Sequence, residues 1–193
     1  GLAREATLLP VIMQIFDSMR GLHGMSIAHG DVSLENILLT RCSTGGQLAV
    51  RVVDFAMSSL ARLRKGSVGK PAYRAPETHG RLWYDGMQAD AFSVGVVLYA
   101  LLMKDYPWAS TRPGTCGCFT LFRALGFRVF IDKRFARGTP MTVASCISQP
   151  MVQLLDGLLA VDPEARLALA SDGQKRSVWE EPLLQYGLQF LST

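Results

Sequence analysis

The amino-acid sequence predicts a single, mainly α-helical domain that carries a small β-ribbon. Between residues 6 and 23, apolar side chains recur at the spacing of one helix face. Residues 89–103 form an apolar run too short to span a bilayer, so we expect a buried core helix over about 88–103 and no membrane segment. The apolar segments 37–39 and 48–53 are separated by a glycine-containing stretch, which is typical of a two-stranded ribbon.

The other elements follow from the same patterns. Pro10 lies in the first turns of the predicted first helix, where proline is tolerated. The second half of the chain alternates between two kinds of segment. Short apolar stretches at helical spacing predict helices. Segments that are rich in proline, glycine and threonine, or that have no clear period, predict loops. The helices are predicted at 119–125, 150–161 and 175–189, and the loops at 106–117 and 127–144.

The composition excludes several classes of protein. Of the 193 residues, 49% are hydrophobic, which excludes a disordered chain and suffices for one domain with its own core. The net charge of +4 is mild, and the basic residues form no large patch, so we expect no nucleic-acid partner.

The cysteines show neither a disulfide framework nor a zinc site. Cys116 and Cys118 are too close in the chain to pair comfortably, and Cys42 and Cys146 complete no metal-binding spacing. We therefore expect four reduced thiols, which favours a reducing intracellular compartment without identifying one.

One polar loop, residues 29–36, runs directly into the first strand of the predicted ribbon. Its Asp31 can accept the proton of a hydroxyl that attacks a phosphate. The amide oxygen of Asn36 suits a hard divalent cation. This spacing of an acid and an amide on one small turn is typical of phosphoryl transfer.

Four further motifs follow in order. They are 54–56 (Asp-Phe-Ala), 75–77 (Ala-Pro-Glu), the helical 90–96, and 162–166 (Asp-Pro-Glu-Ala-Arg). In this order and spacing, the chain resembles the C-terminal lobe of a eukaryotic-type protein kinase of the serine/threonine kind, over roughly residues 5–190. The resemblance implies a kinase-like C-lobe over 1–193, with a catalytic loop at 29–36, a magnesium motif at 54–56 and an activation segment at 54–77.

The resemblance also implies the chemistry of the site. Asp31 would orient a protein hydroxyl and accept its proton, Asn36 and Asp54 would hold Mg²⁺ against ATP, and Leu38 would lie under the adenine ring. The implied cofactors are thus ATP and Mg²⁺, and the implied partner is a protein substrate.

Five residues have structural roles by the same resemblance. Phe55 would pack against His29, and the Asp90 carboxylate would accept backbone N–H groups of the catalytic loop. Glu77 would form a buried ion pair with Arg166, and breaking such a pair is costly.

The largest departure from the family near the catalytic loop involves Ser33 and Lys70. The family usually has lysine two residues after the catalytic aspartate and threonine in the segment before Ala-Pro-Glu; this chain has Ser33 and Lys70 instead. Because the transferring phosphoryl group needs a nearby positive charge, we predict an exchange in which the Lys70 ammonium steadies the phosphate and Asp31, and bonds to Ser33. Two independent losses remain the alternative.

The activation segment departs from the family as well. Gly30 replaces the arginine that normally receives a loop phosphate, so we predict activity without phosphorylation of Ser58, Ser59 or Ser67. The basic run at 62–65 predicts either a solvated loop or a preference for acidic substrates.

The family's N-terminal β-lobe, with its glycine-rich loop and lysine-bearing strand, is not found in the sequence. We therefore expect a fragment or a truncated gene product, with little turnover alone. Two alternatives stay open: a pseudokinase that acts as a scaffold, favoured by Gly30, Ser33 and Ala56, and a small-molecule phosphotransferase of kinase-like fold.

Overall fold

The computed structural model describes residues 2–41, 48–80, 82–171, 173 and 175–185. The fold is mainly α-helical with two short ribbons, which confirms the predicted class. The helices are α1 (Leu2–Gly24), α2 (Gly86–Met103), α3 (Gly117–Leu125), α4 (Phe127–Lys133) and α5 (Gln149–Leu158). The strands are β1 (Ile37–Arg41), β2 (Leu48–Val52), β3 (Leu63–Arg64) and β4 (Tyr84–Asp85). Short 3₁₀ turns lie at Leu34–Asn36, Pro76–His79, Ala144–Cys146 and Val178–Glu180.

Helix α2 is the centre of the core. Apolar residues surround its whole circumference, and 72% of this 18-residue helix is buried inside the fold. Asp85 caps its first turn by accepting the N–H groups of Met87 and Gln88, at 2.9 and 3.3 Å. By length and composition α2 could cross a membrane, but its burial shows the core helix that the sequence predicts.

Helix α1 packs against α2 and begins earlier than predicted. Its first turn is tied to the rest of the fold by Arg4, which donates to the Leu101 carbonyl at 2.8 Å. The buried Glu5 carboxylate accepts the backbone N–H of Ser148, just before α5, at 2.9 Å. Pro10 therefore lies in the interior of a 23-residue helix rather than in its first turns, which corrects the expectation.

The β1–β2 ribbon packs on α1 and directly follows the catalytic loop in the chain. The strands are antiparallel, with Ile37 opposite Val52. Gln14 of α1 bonds to both the Leu48 carbonyl and the Val50 N–H, at 3.1 and 3.0 Å, which fixes the ribbon on the helix. The predicted glycine-containing connection and Cys42 lie outside the described residues.

A second ribbon, β3–β4, is an addition to the prediction. It pairs Leu63 with Asp85 and so joins the activation segment to the start of α2. An isolated antiparallel bridge between Ala28 and Ser59 joins the same segment to the catalytic loop. The segment 54–77 is thus held at several points.

Three expectations for the second half of the chain need correction. Residues 127–133 are helix α4 rather than loop, because Phe127, Phe130 and Ile131 are buried on one face. Helix α5 begins one residue early, at Gln149, and ends at Leu158. The predicted last helix, 175–189 with an interruption near Pro182, does not begin at Lys175: the chain makes a 3₁₀ turn at Val178–Glu180 and is helical at 182–185, and residues 186–193 lie outside the description.

Three of the cysteines are free thiols in the structure. Cys116 is half-buried, Cys118 is exposed and Cys146 is buried.

Candidate active site

The catalytic loop is anchored from below by one carboxylate of α2. Asp90, which is almost fully buried, accepts the N–H of His29 through Oδ2 at 2.6 Å and that of Gly30 through Oδ1 at 2.8 Å. The same Oδ2 lies 3.1 Å from Nε2 of the buried His23. A buried carboxylate with three partners is satisfied, so Asp90 fixes the loop backbone at low cost.

Asp31 and Asn36 are in direct contact. The Asn36 amide nitrogen donates to the Asp31 carbonyl at 2.8 Å and to its carboxylate oxygen Oδ2 at 3.1 Å. Since Nδ2 makes both bonds, Oδ1 is the amide atom that suits a cation. The other Asp31 oxygen, Oδ1, is buried and has no hydrogen-bond partner in the described part of the chain.

Asp54 follows β2 and is held close to the catalytic loop through its neighbour. The Val53 N–H donates to the Asn36 carbonyl at 2.9 Å, and the Val53 carbonyl lies 3.1 Å from Nε2 of His29. Asp54 itself is exposed and has a positive φ of 66°. A non-glycine residue in the left-handed region is costly, and such residues cluster at functional sites.

Phe55 and Leu38 are the two apolar residues that the resemblance assigns to the site. The Phe55 ring is tilted over His29 with centroids 5.1 Å apart, so the structure contains the contact expected for this pair. Leu38 is on β1 and is 45% exposed. An exposed leucine beside the candidate site is available for contact with a flat ligand, although burial alone assigns it no role.

The Lys70 ammonium bonds to Ser33. The distance from Nζ to Ser33 Oγ is 2.6 Å, and the Ser33 side chain is fully buried. The same ammonium lies 3.9 Å from Asp31 Oδ2 and 3.5 Å from Glu35 Oε2. The structure thus brings a lysine of the activation segment between two carboxylates of the catalytic loop.

This charge arrangement affects the ionisation of Glu35. Partial burial raises the pKa of the Glu35 carboxyl, but its own backbone N–H, the Lys70 ammonium and the Ser33 hydroxyl together hold it below its ordinary value. The Glu35 carboxylate next to Lys70 is therefore expected to be charged near neutral pH.

Glu77 and Arg166 form the predicted pair. Both are buried, and Arg166 Nη1 and Nη2 donate to the two Glu77 carboxylate oxygens at 2.6 and 2.9 Å. Arg166 also donates to the Gln88 carbonyl at 2.7 Å, which joins the pair to α2. The end of the activation segment is clamped to the helical core in this way.

The donor set fits Mg²⁺. Within the described ranges, no group of three or more histidine, cysteine, aspartate or glutamate side chains could hold a metal ion by itself. Mg²⁺ usually takes only one or two protein oxygens and completes its shell with water and phosphate, so Asn36 and Asp54 would suffice.

Sequence reasoning missed three groups of this site. His23, under Asp90, looked like an ordinary residue at the end of a helix. Tyr73 accepts the Leu34 N–H at 3.2 Å and meets the Tyr106 hydroxyl at 2.9 Å, a contact that no spacing indicated. Arg64, in the basic run interpreted as either a solvated loop or a preference for acidic substrates, is half-buried beside Gly30.

Comparison with known proteins relates the chain to protein kinases. A family profile described as "Protein kinase domain" matches residues 1–177. Serine/threonine-protein kinase SAPK3 of Oryza sativa subsp. indica is 34% identical over 161 residues, which cover 81% of this chain and 44% of that protein. Serine/threonine-protein kinase SAPK2 of Oryza sativa subsp. japonica is 41% identical over 161 residues, which cover 81% of this chain and 43% of that protein.

CBL-interacting protein kinase 4 of Oryza sativa subsp. japonica is 30% identical over 174 residues, which cover 86% of this chain and 34% of that protein. The chain spans less than half the length of these relatives. The profile, in contrast, matches most of this chain. By this match the chain belongs to the protein kinase domain family.

Proposed function

We propose that this chain is the C-terminal catalytic part of a serine/threonine protein kinase, which transfers the γ-phosphoryl group of ATP to a protein hydroxyl. Family membership and the named serine/threonine kinase relatives support this proposal. Members of the family use ATP and Mg²⁺ in general. Because the chain spans less than half of each relative, the activity is proposed for the full-length protein, with little or no turnover by the 193-residue chain alone.

One observation carries the proposal. Asp31 Oδ2 accepts the Asn36 amide at 3.1 Å and faces the Lys70 ammonium at 3.9 Å, so a base, a metal-binding amide and a cation meet at one point. A structural ion pair would not require the amide, and a metal site alone would not require the cation. Phosphoryl transfer uses all three.

In the proposed reaction, Asp31 acts on the substrate hydroxyl. The Asp31 carboxylate accepts the hydroxyl proton as the hydroxyl oxygen forms a bond to the γ-phosphorus, and the bond from that phosphorus to the ADP oxygen breaks. Gly69 lies against the buried Oδ1 and helps to hold the carboxylate in place: a Cβ at position 69 would lie 3.3 Å from Oδ1 and 3.1 Å from the Gly30 carbonyl oxygen. ADP and the phosphorylated protein are the products.

Asn36 and Asp54 are proposed to hold the Mg²⁺ that accompanies ATP. When bound, the ion neutralises charge on the phosphates. The positive φ of Asp54 and the bonds that His29 and Asn36 make to Val53 hold the Asp54 backbone beside the loop before any ligand arrives. Such preorganisation lowers the cost of binding.

Lys70 is proposed to supply the positive charge near the transferring group. Its 2.6 Å bond to Ser33 limits the movement of the ammonium, and its carboxylate neighbours keep it oriented towards the catalytic loop. The activation segment would then provide the cation that the catalytic loop provides elsewhere in the family.

The decisive experiment measures transfer of labelled γ-phosphate in the full-length protein. Asp31→Asn is expected to lower kcat by about 10²–10⁴-fold, the usual contribution of a positioned general base. Asp132→Asn, on the exposed face of α4, is the matched control and should retain full activity. Equal rates for wild type and Asp31→Asn would refute the proposed chemistry.

A pseudokinase is the second candidate, because Gly30, Ser33 and Ala56 stand at positions where the family has arginine, lysine and glycine. In that case the full-length protein would show no transfer above the Asp31→Asn background. Magnesium-dependent ATP binding separates this candidate from a protein that has lost the nucleotide site altogether.

A further inference from the structure

The side chain of Arg64 passes through a slot made by two glycines. A Cβ built on Gly86 would come within 2.7 Å of Arg64 Cδ, and one on Gly30 would come within 3.2 Å of Arg64 Cζ and still closer to Nη1. Real Cβ atoms essentially never approach other heavy atoms under 3.0 Å. Arg64 thus fills the space next to both glycines, together with the Met57 carbonyl, which a Cβ on Gly30 would approach to 2.5 Å, and the Ala28 Cβ, which a Cβ on Gly86 would approach to 2.9 Å.

Arg64 links three parts of the chain through this slot. Its backbone belongs to β3, which pairs with β4 at the start of α2. Its Nη2 donates to the Met57 carbonyl, just after the magnesium motif, at 2.8 Å. Its Nη1 lies against Gly30 of the catalytic loop and has no hydrogen-bond partner among the residues that the structure describes.

The space next to the guanidinium is too small for a phosphate. Gly30, Arg64, Arg74, Tyr84 and Asp90 are among the residues that line a cavity of about 20 Å³ there. A cavity of this size holds about one water molecule and excludes a phosphoryl group. The charged residues that line it are Arg64, Arg74 and Asp90, so it is the size of the cavity that excludes a phosphate.

We propose that Arg64 is a built-in positioning residue, which holds the activation segment against the catalytic loop in place of an added phosphate. The guanidinium occupies the space that a side chain at position 30 would need. In the family the positive charge comes from an arginine of the catalytic loop at this position, whereas here it comes from Arg64 of the activation segment. Gly30 and Gly86 are then the complement of Arg64 rather than losses. This inference goes beyond the proposed kinase activity and does not depend on it.

The first experiment measures the order of the segment without using activity. The unphosphorylated chain is compared with Arg64→Met and Lys65→Met by hydrogen exchange at the amides of Ala28 and Ser59, which bond to each other's carbonyls at 2.9 Å. Methionine keeps the length of the stem and removes the charge. Lys65 is the matched control, because it is the next residue and lies over the exposed Trp83 ring at 4.1 Å.

Arg64→Met is expected to speed exchange at these two amides about tenfold or more, since a charge-assisted hydrogen bond is lost. Lys65→Met should stay within about twofold of wild type, as is usual for a surface substitution. Amides of the buried α2 serve as the internal reference for global unfolding. Unchanged exchange in Arg64→Met, or protection that develops only after phosphorylation of the segment, would overturn the proposal.

The second experiment tests the glycine slot directly. Gly30→Ala is introduced into wild type and into Arg64→Ala, and thermal unfolding is followed. Gly30 has a φ of 81°, and a Cβ there would come within 2.5 Å of the Met57 carbonyl oxygen, so alanine is strained in both backgrounds. The clash with the guanidinium exists only in the first.

The melting temperature is therefore expected to fall more for Gly30→Ala in wild type than in Arg64→Ala. An equal fall in both backgrounds would mean that the two residues are independent and would overturn the proposed pair. If Gly30→Ala fails to fold in wild type but folds in Arg64→Ala, the pairing is supported in its strongest form.

Discussion

Glu77 and Arg166 lie 89 positions apart in the chain and share two hydrogen bonds, of 2.6 and 2.9 Å, in the core. The guanidinium also bonds to the carbonyls of Gln88 and Ala160 and lies over the Phe92 ring. Every face of this buried cation is therefore in contact with the fold. The end of the activation segment and the loop after α5 cannot separate without exposing an uncompensated charge.

Removal of one partner should consequently be severe. Arg166→Ala is expected to lower the free energy of unfolding by about 3–5 kcal/mol, because Glu77 is left buried and unpaired. Arg128→Ala is the control: Arg128 pairs with Asp156 at 2.8 Å on the surface, where a pair contributes about 0–1 kcal/mol. Urea unfolding of the two variants measures both values, and similar losses would contradict the clamp.

An exchange of the two residues at positions 33 and 70 tests the source of the catalytic cation. In the full-length protein, Lys70→Thr is expected to lower kcat by about 10²–10³-fold, since a stabilising charge near the reacting phosphate is lost. The double variant Ser33→Lys with Lys70→Thr should recover much of that loss, because the charge returns from the other side.

Steady-state kinetics with saturating ATP measures the recovery. Ser33→Lys alone is the control, since two ammonium groups at one point repel each other. No loss in Lys70→Thr would remove Lys70 from the mechanism, and no recovery in the double variant would contradict the exchange.

The anchoring of the catalytic loop depends on Asp90. Asp90→Asn removes the charge that the N–H groups of His29 and Gly30 and the His23 ring share, and is expected to cost about 1.5–3 kcal/mol per charge-assisted bond lost. Chemical denaturation measures the loss, and Asp132→Asn on the surface of α4 is the control. A variant as stable as wild type would show that the loop is held by its other contacts.

The stability of the domain should depend on pH through His79. Burial, followed by the nearby Arg74 and Arg112 cations, holds the pKa of the His79 imidazole below its ordinary value of 6.5. The unfolded chain therefore binds the proton more readily, and the stability contributed by the neutral imidazole is present above the unfolded pKa and lost as pH falls through the folded pKa.

Unfolding by urea at about pH 7.5 and about pH 5.5 measures this dependence. In the structure, His79 Nε2 lies 3.0 Å from the Thr111 hydroxyl. The variant His79→Asn replaces the imidazole with a neutral amide that has no proton to gain, so it should reduce the loss of stability at the lower pH. An identical pH dependence in the variant would assign the effect to other groups.

Activity should not require phosphorylation of the activation segment. Ser58 and Ser59 already use their hydroxyls locally: Ser58 donates to the Phe55 carbonyl at 2.8 Å, and Ser59 accepts the Ala61 N–H at 3.0 Å. The variant with alanine at Ser58, Ser59 and Ser67 is expected to keep kcat within about threefold of wild type, since these surface contacts are weak. Abolished activity in a folded variant, judged by its melting temperature, would refute this expectation.

Much of the fold could be predicted because its elements carry their own periodicity. The apolar face of α1, the all-apolar α2 and the β1–β2 ribbon are local patterns, and burial of such faces stabilises the elements that they predict. Helix α4 was missed although Phe127, Phe130 and Ile131 have helical spacing, because the element is short. The β3–β4 ribbon was missed because two-residue strands have no period to detect.

Several contacts of the candidate site could be predicted together with its residues. The order of the polar motifs along the chain was sufficient to predict Asp31 next to Asn36 and Glu77 paired with Arg166, whereas the metal-binding role of Asp54 stays a prediction. The chain alone also suggested that Ser33 and Lys70 belong together, as they do at 2.6 Å. These are statements about residue type and spacing, which a linear sequence contains.

The position of Arg64 is different in kind, since a basic run looks the same whether it is solvated or buried. Only the close approach of β3 to Gly30 and Gly86, residues distant in the chain, turned one of these cations inward. Residue type and local periodicity can be read from the sequence. Whether a charged side chain is buried depends on which backbone segments, distant in the chain, leave room for it, and only the tertiary structure decides that.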